Sequence, residues 1–203
     1  MLLSRGIIEY QEARYATAAL YAERASQELL EPSILRAKVW LLWGQSLQKM
    51  NATAQAEEKL AKALEEASDE DLGDVHYTFG IVEQALGKNT EAKEHFEKIP
   101  LEHEKTPVAM KNLATIALQD KRYSDALFWL EKGRKDFRDS FLDSWVDYLQ
   151  MQAAIGMNDV DKVRSIREEA SKQYPPSDKW FALLEAAAEG YEWKRLGEQG
   201  RKG

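Results

Sequence analysis

The chain has 203 residues, 31% of them charged and 44% hydrophobic, a net charge of −7 and no cysteine. Those values exclude disulfides, thiol catalysis and thiolate metal sites; with no basic stripe to displace counterions from phosphates, they also argue against nucleic acid or an acidic membrane as partner. No apolar run approaches the ~20 residues that span a bilayer, and the absence of long β-branched runs or a Ser/Gly/Pro-rich linker predicts one all-α domain.

A small residue followed twelve positions later by alanine recurs as Gly6/Ala18, Gly44/Ala56, Gly80/Ala92 and Ala114/Ala126. Successive copies step by 38, 36 and 34 residues (6 to 44, 44 to 80, 80 to 114), a period that marks stacked helical hairpins. The first hairpin, 1-31, places Leu2 and Leu3 at packing positions with no cap before them. In the second, 33-68, Pro32 stops the preceding helix and Ser33 is the expected N-cap. Trp40, Trp43, Gly44 and Leu47 then share one helix face, Asn51 marks a turn, and Ala56, Leu60, Ala63 and Leu64 form the answering face. Glycine against alanine lets two helix axes close to the short end of the usual ~8–10 Å range.

The third hairpin, 70-100, carries Tyr77, Phe79 and Gly80, a turn at Gly87-Lys88-Asn89, then Ala92, Phe96, Ile99 and Pro100. In the fourth, 106-138, Thr106 is the expected cap and Pro107 the first helical residue, followed by Met110, Leu113, Ala114, Ala117, Tyr123, Ala126, Leu130 and Gly133. The fifth, 140-175, opens with a capping-box-like Ser140 and Asp143, followed by Trp145, Tyr148 and Leu149. Gly156 is read as starting its turn, and a second helix burying Val160, Val163 and Ala170 is displaced by about two residues, which predicts a longer turn. Tyr174-Pro175-Pro176 closes it. A terminal helix, 178-196, carries Trp180, Leu183, Leu184 and Ala187, and a partner helix from Tyr191 would run out at Gly203. Both ends therefore read as those of a fragment, an expectation that an intact natural product of about 23 kDa would contradict.

Trp40, Trp43, Gly44, Leu47, Ala56, Leu60 and Ala63, and in part Tyr77, Gly80, Ala92, Phe96 and Pro100, resemble the tetratricopeptide repeat family over roughly residues 1–175. The resemblance implies a right-handed superhelical solenoid of about five hairpins plus a terminal helix, with the first helix of each hairpin lining a concave groove. Carried onto this sequence, the groove residues are Leu41, Gln45 and Gln48, then Tyr77, Ile81 and Gln84, then Lys111 and Thr115, then Val146 and Gln150; Leu41 and Ile81 fit packing between repeats equally well. The cationic carboxylate clamp of the family's chaperone-binding members is not matched. Leu41, Gln45, Asp74 and Thr78 occupy its places, and only Asn112 fits.

No pair among His76, His95 and His103 has zinc-ligand spacing, so His76 is expected in the core or the groove wall and His103 in a solvated turn. Glu57-Glu58 and Glu65-Glu66 read as solvated faces, and no catalytic residue, metal or cofactor is expected. Phe128 and Trp129 are a candidate convex interface, with packing against the next hairpin as the alternative. The expected function is a non-enzymatic adaptor holding a peptide or helix of another protein. Alternatives are an assembly subunit of an envelope, secretion or polysaccharide-export machine, with homo-oligomerisation, and a sensor of a small ligand or signalling peptide. A soluble chain is expected, cytoplasmic ahead of periplasmic.

Overall fold

A computed structural model describes residues 1–29 and 34–200, so the cap expected at Ser33 lies outside the described residues. Within them the chain forms eleven α-helices, one short 3₁₀ turn and no strand. Five pairs follow one another: α1 (Leu2–Gln11) and α2 (Tyr15–Glu28), α3 (Ile34–Lys49) and α4 (Thr53–Glu66), α5 (Asp69–Ala85) and α6 (Asn89–Glu97), α7 (Thr106–Gln119) and α8 (Tyr123–Asp136), α9 (Ser144–Gly156) and α10 (Val160–Gln173). The 3₁₀ turn, Arg138–Phe141, precedes α9, and α11 (Lys179–Gly200) ends the series.

All five pairs are joined by the same three-residue turn. Its middle residue is Ala13, Asn51, Gly87, Lys121 or Asn158, each in the left-handed region with φ between 57° and 75°. The N–H of that residue donates to the carbonyl three residues back, and the next N–H to the carbonyl five back: Asn51 to Gln48 and Ala52 to Leu47, Asn158 to Ile155 and Asp159 to Ala154, and likewise in the other three. This is the Schellman closure, which satisfies the orphan carbonyls of the first helix. Asparagine and glycine tolerate the left-handed conformation, whereas Ala13 and Lys121 hold it against their Cβ atoms. Lys121→Gly is therefore expected to stabilise the fold by about 0.5–1 kcal/mol, read as a higher midpoint in urea.

The turn fixes the register of every hairpin, and it corrects the fifth. Counting back seven residues from each turn gives Gly6, Gly44, Gly80, Ala114 and then Met151; counting forward five gives Ala18, Ala56, Ala92, Ala126 and then Val163. The turn between α9 and α10 is no longer than the others. A larger pair, Met151 and Val163, simply replaces the small one, and both are buried together with Ile166, Ala170 and Leu184. Val160, expected on the buried face, is only half-buried.

Contacts divide the chain into two compact units, Met1–Ala109 and Met110–Gly203, the division falling inside α7. In the first, Leu60, Ala63, Val75, Phe79 and Val82 make the main core, flanked by Trp40 and Trp43. A Cβ added to Gly44 would lie 2.7 Å from Leu60, so the absent side chain is what lets α3 and α4 meet. The stacked rings of Trp40 and Trp43 (5.7 Å) carry the Lys62 and Lys59 ammonium groups over their faces. In the second unit, Met110, Ala114, Leu130, Phe141, Val146 and Leu149 form one cluster.

Helix starts differ in detail from the sequence expectation. Thr106 is the first residue of α7 rather than its cap, and its hydroxyl donates to the Pro100 carbonyl at 2.7 Å. Asp143, not Ser140, caps α9 by accepting the Val146 N–H; Asp159 and Asp178 accept from the Lys162 and Phe181 N–H groups in the same way. Tyr191, expected to open a further helix, instead continues α11, which runs unbroken through Gly190.

Candidate functional site

The first unit holds a pocket of about 520 Å³ where α3 lies beside α5. Gln45, Gln48 and Lys49 face it from α3, and Asp74, Tyr77, Thr78 and Ile81 from α5. Tyr10, at the end of α1, and the Glu104-Lys105 segment complete the lining. Four of the ten groove residues expected from sequence thus converge: Gln45, Gln48, Tyr77 and Ile81.

Local chemistry explains why these groups stand where they do. The Gln45 amide donates to the Thr78 hydroxyl (3.4 Å), which itself donates to the Asp74 carbonyl one turn back (2.8 Å), tying α3 to α5 at the pocket floor. Burial raises the hydroxyl pKa values of both Tyr10 and Tyr77, with Lys105 opposing, so both phenols remain protonated donors at neutral pH. Lys105 pairs with Glu104 at 2.8 Å. The two lysines and two carboxylates of the lining balance, leaving a pocket of amides, hydroxyls, two aromatic rings and Ile81.

Sequence reading missed Tyr10, Lys49, Glu104 and Lys105. The last two arrive through His103, which is not a solvated residue. Its ring fills the space left by the missing side chain of Gly73 on α5, and its Nδ1 accepts the Lys105 N–H at 3.2 Å. The glycine at 73 opposite a histidine 30 residues on is no local pattern.

The other expected groove residues lie elsewhere. Leu41 belongs to the core with Leu60 and Phe79. Gln84 is half-buried outside the pocket lining. In the second unit, Lys111 pairs with Asp143 (2.9 Å) over the Phe141 and Trp145 rings, and the Thr115 hydroxyl donates to the Lys111 carbonyl. Val146 is fully buried among Phe141 and Leu149, and Gln150 is buried too, so neither lines a groove. The turn register gives the reason: six and ten residues before Asn158 stand Gln152 and Tyr148, the equivalents of Ile81 and Tyr77. Those two bond each other at 2.7 Å. On α8, Phe128 is 56% exposed, while Trp129 packs partly against the core cluster at an edge-on 5.1 Å from it.

Behind the pocket, α5 and α6 enclose a polar group that local spacing did not reveal. His76 Nδ1 lies 2.8 Å from His95 Nδ1, and His95 stacks on Phe79 at 4.3 Å. A hydrogen bond between two Nδ1 atoms needs one ring to donate and the other to accept, so the rings cannot both be charged without separating. His95 Nε2 is 3.7 Å from Glu83, whose other carboxylate oxygen is buried without a hydrogen-bond partner. Among the described residues no group of three or more histidines and carboxylates is placed to hold a metal ion.

Burial, reinforced by Glu57 and Glu91, pushes the Glu83 carboxyl from an ordinary 4.5 up to about 7. Burial and the neighbouring His76 push His95 from 6.5 down to about 4. Glu83 therefore supports folding fully below pH 4.5, and this support is lost as pH rises through 7; His95 supports it above pH 6.5, and that is lost as pH falls toward 4. Glu83→Gln is expected to abolish only the first loss. Its melting temperature should exceed that of the wild type at pH 8, by the equivalent of about 2 kcal/mol, and converge with it near pH 4.5.

No family model matches the chain, and no curated protein matches its sequence. Among the described residues, no helix is long and apolar enough to cross a membrane.

Proposed function

We propose that this chain is a tetratricopeptide-like, non-enzymatic adaptor that holds an extended segment of another protein in the pocket between α3 and α5. The observation that carries this reading is the convergence of two protonated tyrosines, the amides of Gln45 and Gln48 and the apolar Ile81 around one opening. Side-chain amides match the alternating donors and acceptors of an extended peptide backbone, while the two tyrosine rings and Ile81 offer a surface for an apolar side chain. Balanced charge at the rim favours an uncharged segment over a strongly acidic or basic one.

Selection of a displayed peptide library on the wild-type chain, followed by affinity measurement on Tyr77→Ala and Ile81→Asp, tests this. Both variants are expected to weaken binding tenfold or more with helicity unchanged. Selected peptides that bind wild type and both variants equally would contradict the reading. The assembly role keeps one observation in its favour, the exposed Phe128, and predicts that Phe128→Ala changes partner capture while Tyr77→Ala does not.

A further inference from the structure

One amide of the pocket between α3 and α5 is not free to turn. The Thr78 hydroxyl carries a single proton, and that proton goes to the Asp74 carbonyl one turn back, at 2.8 Å. The Thr78 oxygen is thereby left as an acceptor. Thr78 is buried, where an unanswered oxygen is costly. Gln45 answers it at 3.4 Å with its amide nitrogen, the only end of that side chain able to donate. The longer contact is the weaker one, so the glutamine adapts to the threonine and not the reverse.

This chain of bonds decides what Gln45 shows a ligand. Its nitrogen is held against α5, while its oxygen has no partner among the described residues and stays open to solvent at the pocket. Gln45 therefore presents an acceptor. Gln48, with no such tie, can offer either end of its amide. The Tyr10 and Tyr77 hydroxyls also lack a partner among the described residues, and each keeps its proton to donate.

We propose that Gln45 is a specificity-determining residue that accepts one backbone N–H of the bound segment, with Thr78 as the positioning residue that turns its oxygen toward the ligand. The assignment rests on the pocket being a peptide site. A trans peptide unit carries its N–H and C=O on opposite edges, which suits an acceptor on α3 and a hydroxyl donor on α5. A side-chain amide holds its donor and acceptor together at one end and suits that division less. Proline has no N–H, so one position of the bound segment is closed to it.

A peptide selected on the wild-type chain, resynthesised with a single N-methyl group at each position in turn, tests the proposal by fluorescence anisotropy. At one position methylation is expected to weaken binding about tenfold. On Gln45→Leu the same methylation should cost nothing further, because the acceptor it would have met is gone. Thr78→Val unties the amide and should narrow the tenfold difference while binding still depends on Tyr77; circular dichroism verifies that both variants fold. For peptides that Tyr77→Ala abolishes, a scan with no backbone position coupled to Gln45 overturns the inference and leaves the pocket reading standing. Coupling only to a side-chain amide of the peptide does the same. Peptides indifferent to Tyr77→Ala remove the pocket reading and the inference together.

Discussion

Phe141→Ala is expected to destabilise the second unit by about 3–5 kcal/mol, the range for truncating a fully buried aromatic ring. Phe141 sits in the 3₁₀ turn with no exposed surface, against Leu130, Val146 and Leu149. Its ring lies flat where Gly133 of α8 has no side chain, so that a Cβ there would overlap it. Gly133→Ala is accordingly expected to cost about 2–3 kcal/mol, despite alanine's better helix propensity. The two changes meet at one contact and should not be additive: once Phe141 is truncated, Gly133→Ala has nothing to strike. Urea unfolding of both single variants and the double variant, followed by far-ultraviolet circular dichroism, measures the coupling.

Gly44→Met is the second large effect, expected to cost about 3 kcal/mol through forced separation of α3 from α4. Leu60 lies 2.7 Å from the position of the added Cβ, and the chain on either side is already packed. The same residue type is native at the equivalent place in the fifth hairpin. There Met151 is fully buried, and Met151→Ala is expected to cost about 2–4 kcal/mol by opening a cavity. Opposite outcomes at equivalent positions follow from the partner twelve residues on: Ala56 with Leu60 crowding in behind it, against Val163.

That exchange also explains what was legible in the sequence. Four hairpins announced themselves because a small residue and an alanine recur at constant separation; the structure sets Gly6 against Ala18 and Gly44 against Ala56, and Gly80 against the Phe96 ring. The fifth carries the larger pair and was read two residues out of register, since Gly156 imitated a turn glycine. In the structure Gly156 instead makes room for the Tyr123 ring, and Asn158 makes the turn. The same slip pointed to Val146 and Gln150 in place of Tyr148 and Gln152. Four of the candidate pocket's ten lining residues, Gln45, Gln48, Tyr77 and Ile81, were legible from the helical stripe of α3 and α5. The remainder depends on contacts between distant residues, such as His103 on Gly73, that no local spacing encodes. His76 and His95 are nineteen residues apart and meet only because α5 and α6 fold back on each other.

Photo-crosslinking from within the pocket tests the central claim most directly. A benzophenone amino acid placed at Gln48, and separately at Phe128, would be irradiated in the presence of cell extract and the adducts identified by mass spectrometry. The account predicts one recurrent protein adduct from position 48, competed away by a library-selected peptide, and none shared with position 128. Recurrent adducts from position 128 alone would contradict it and move the working surface to α8.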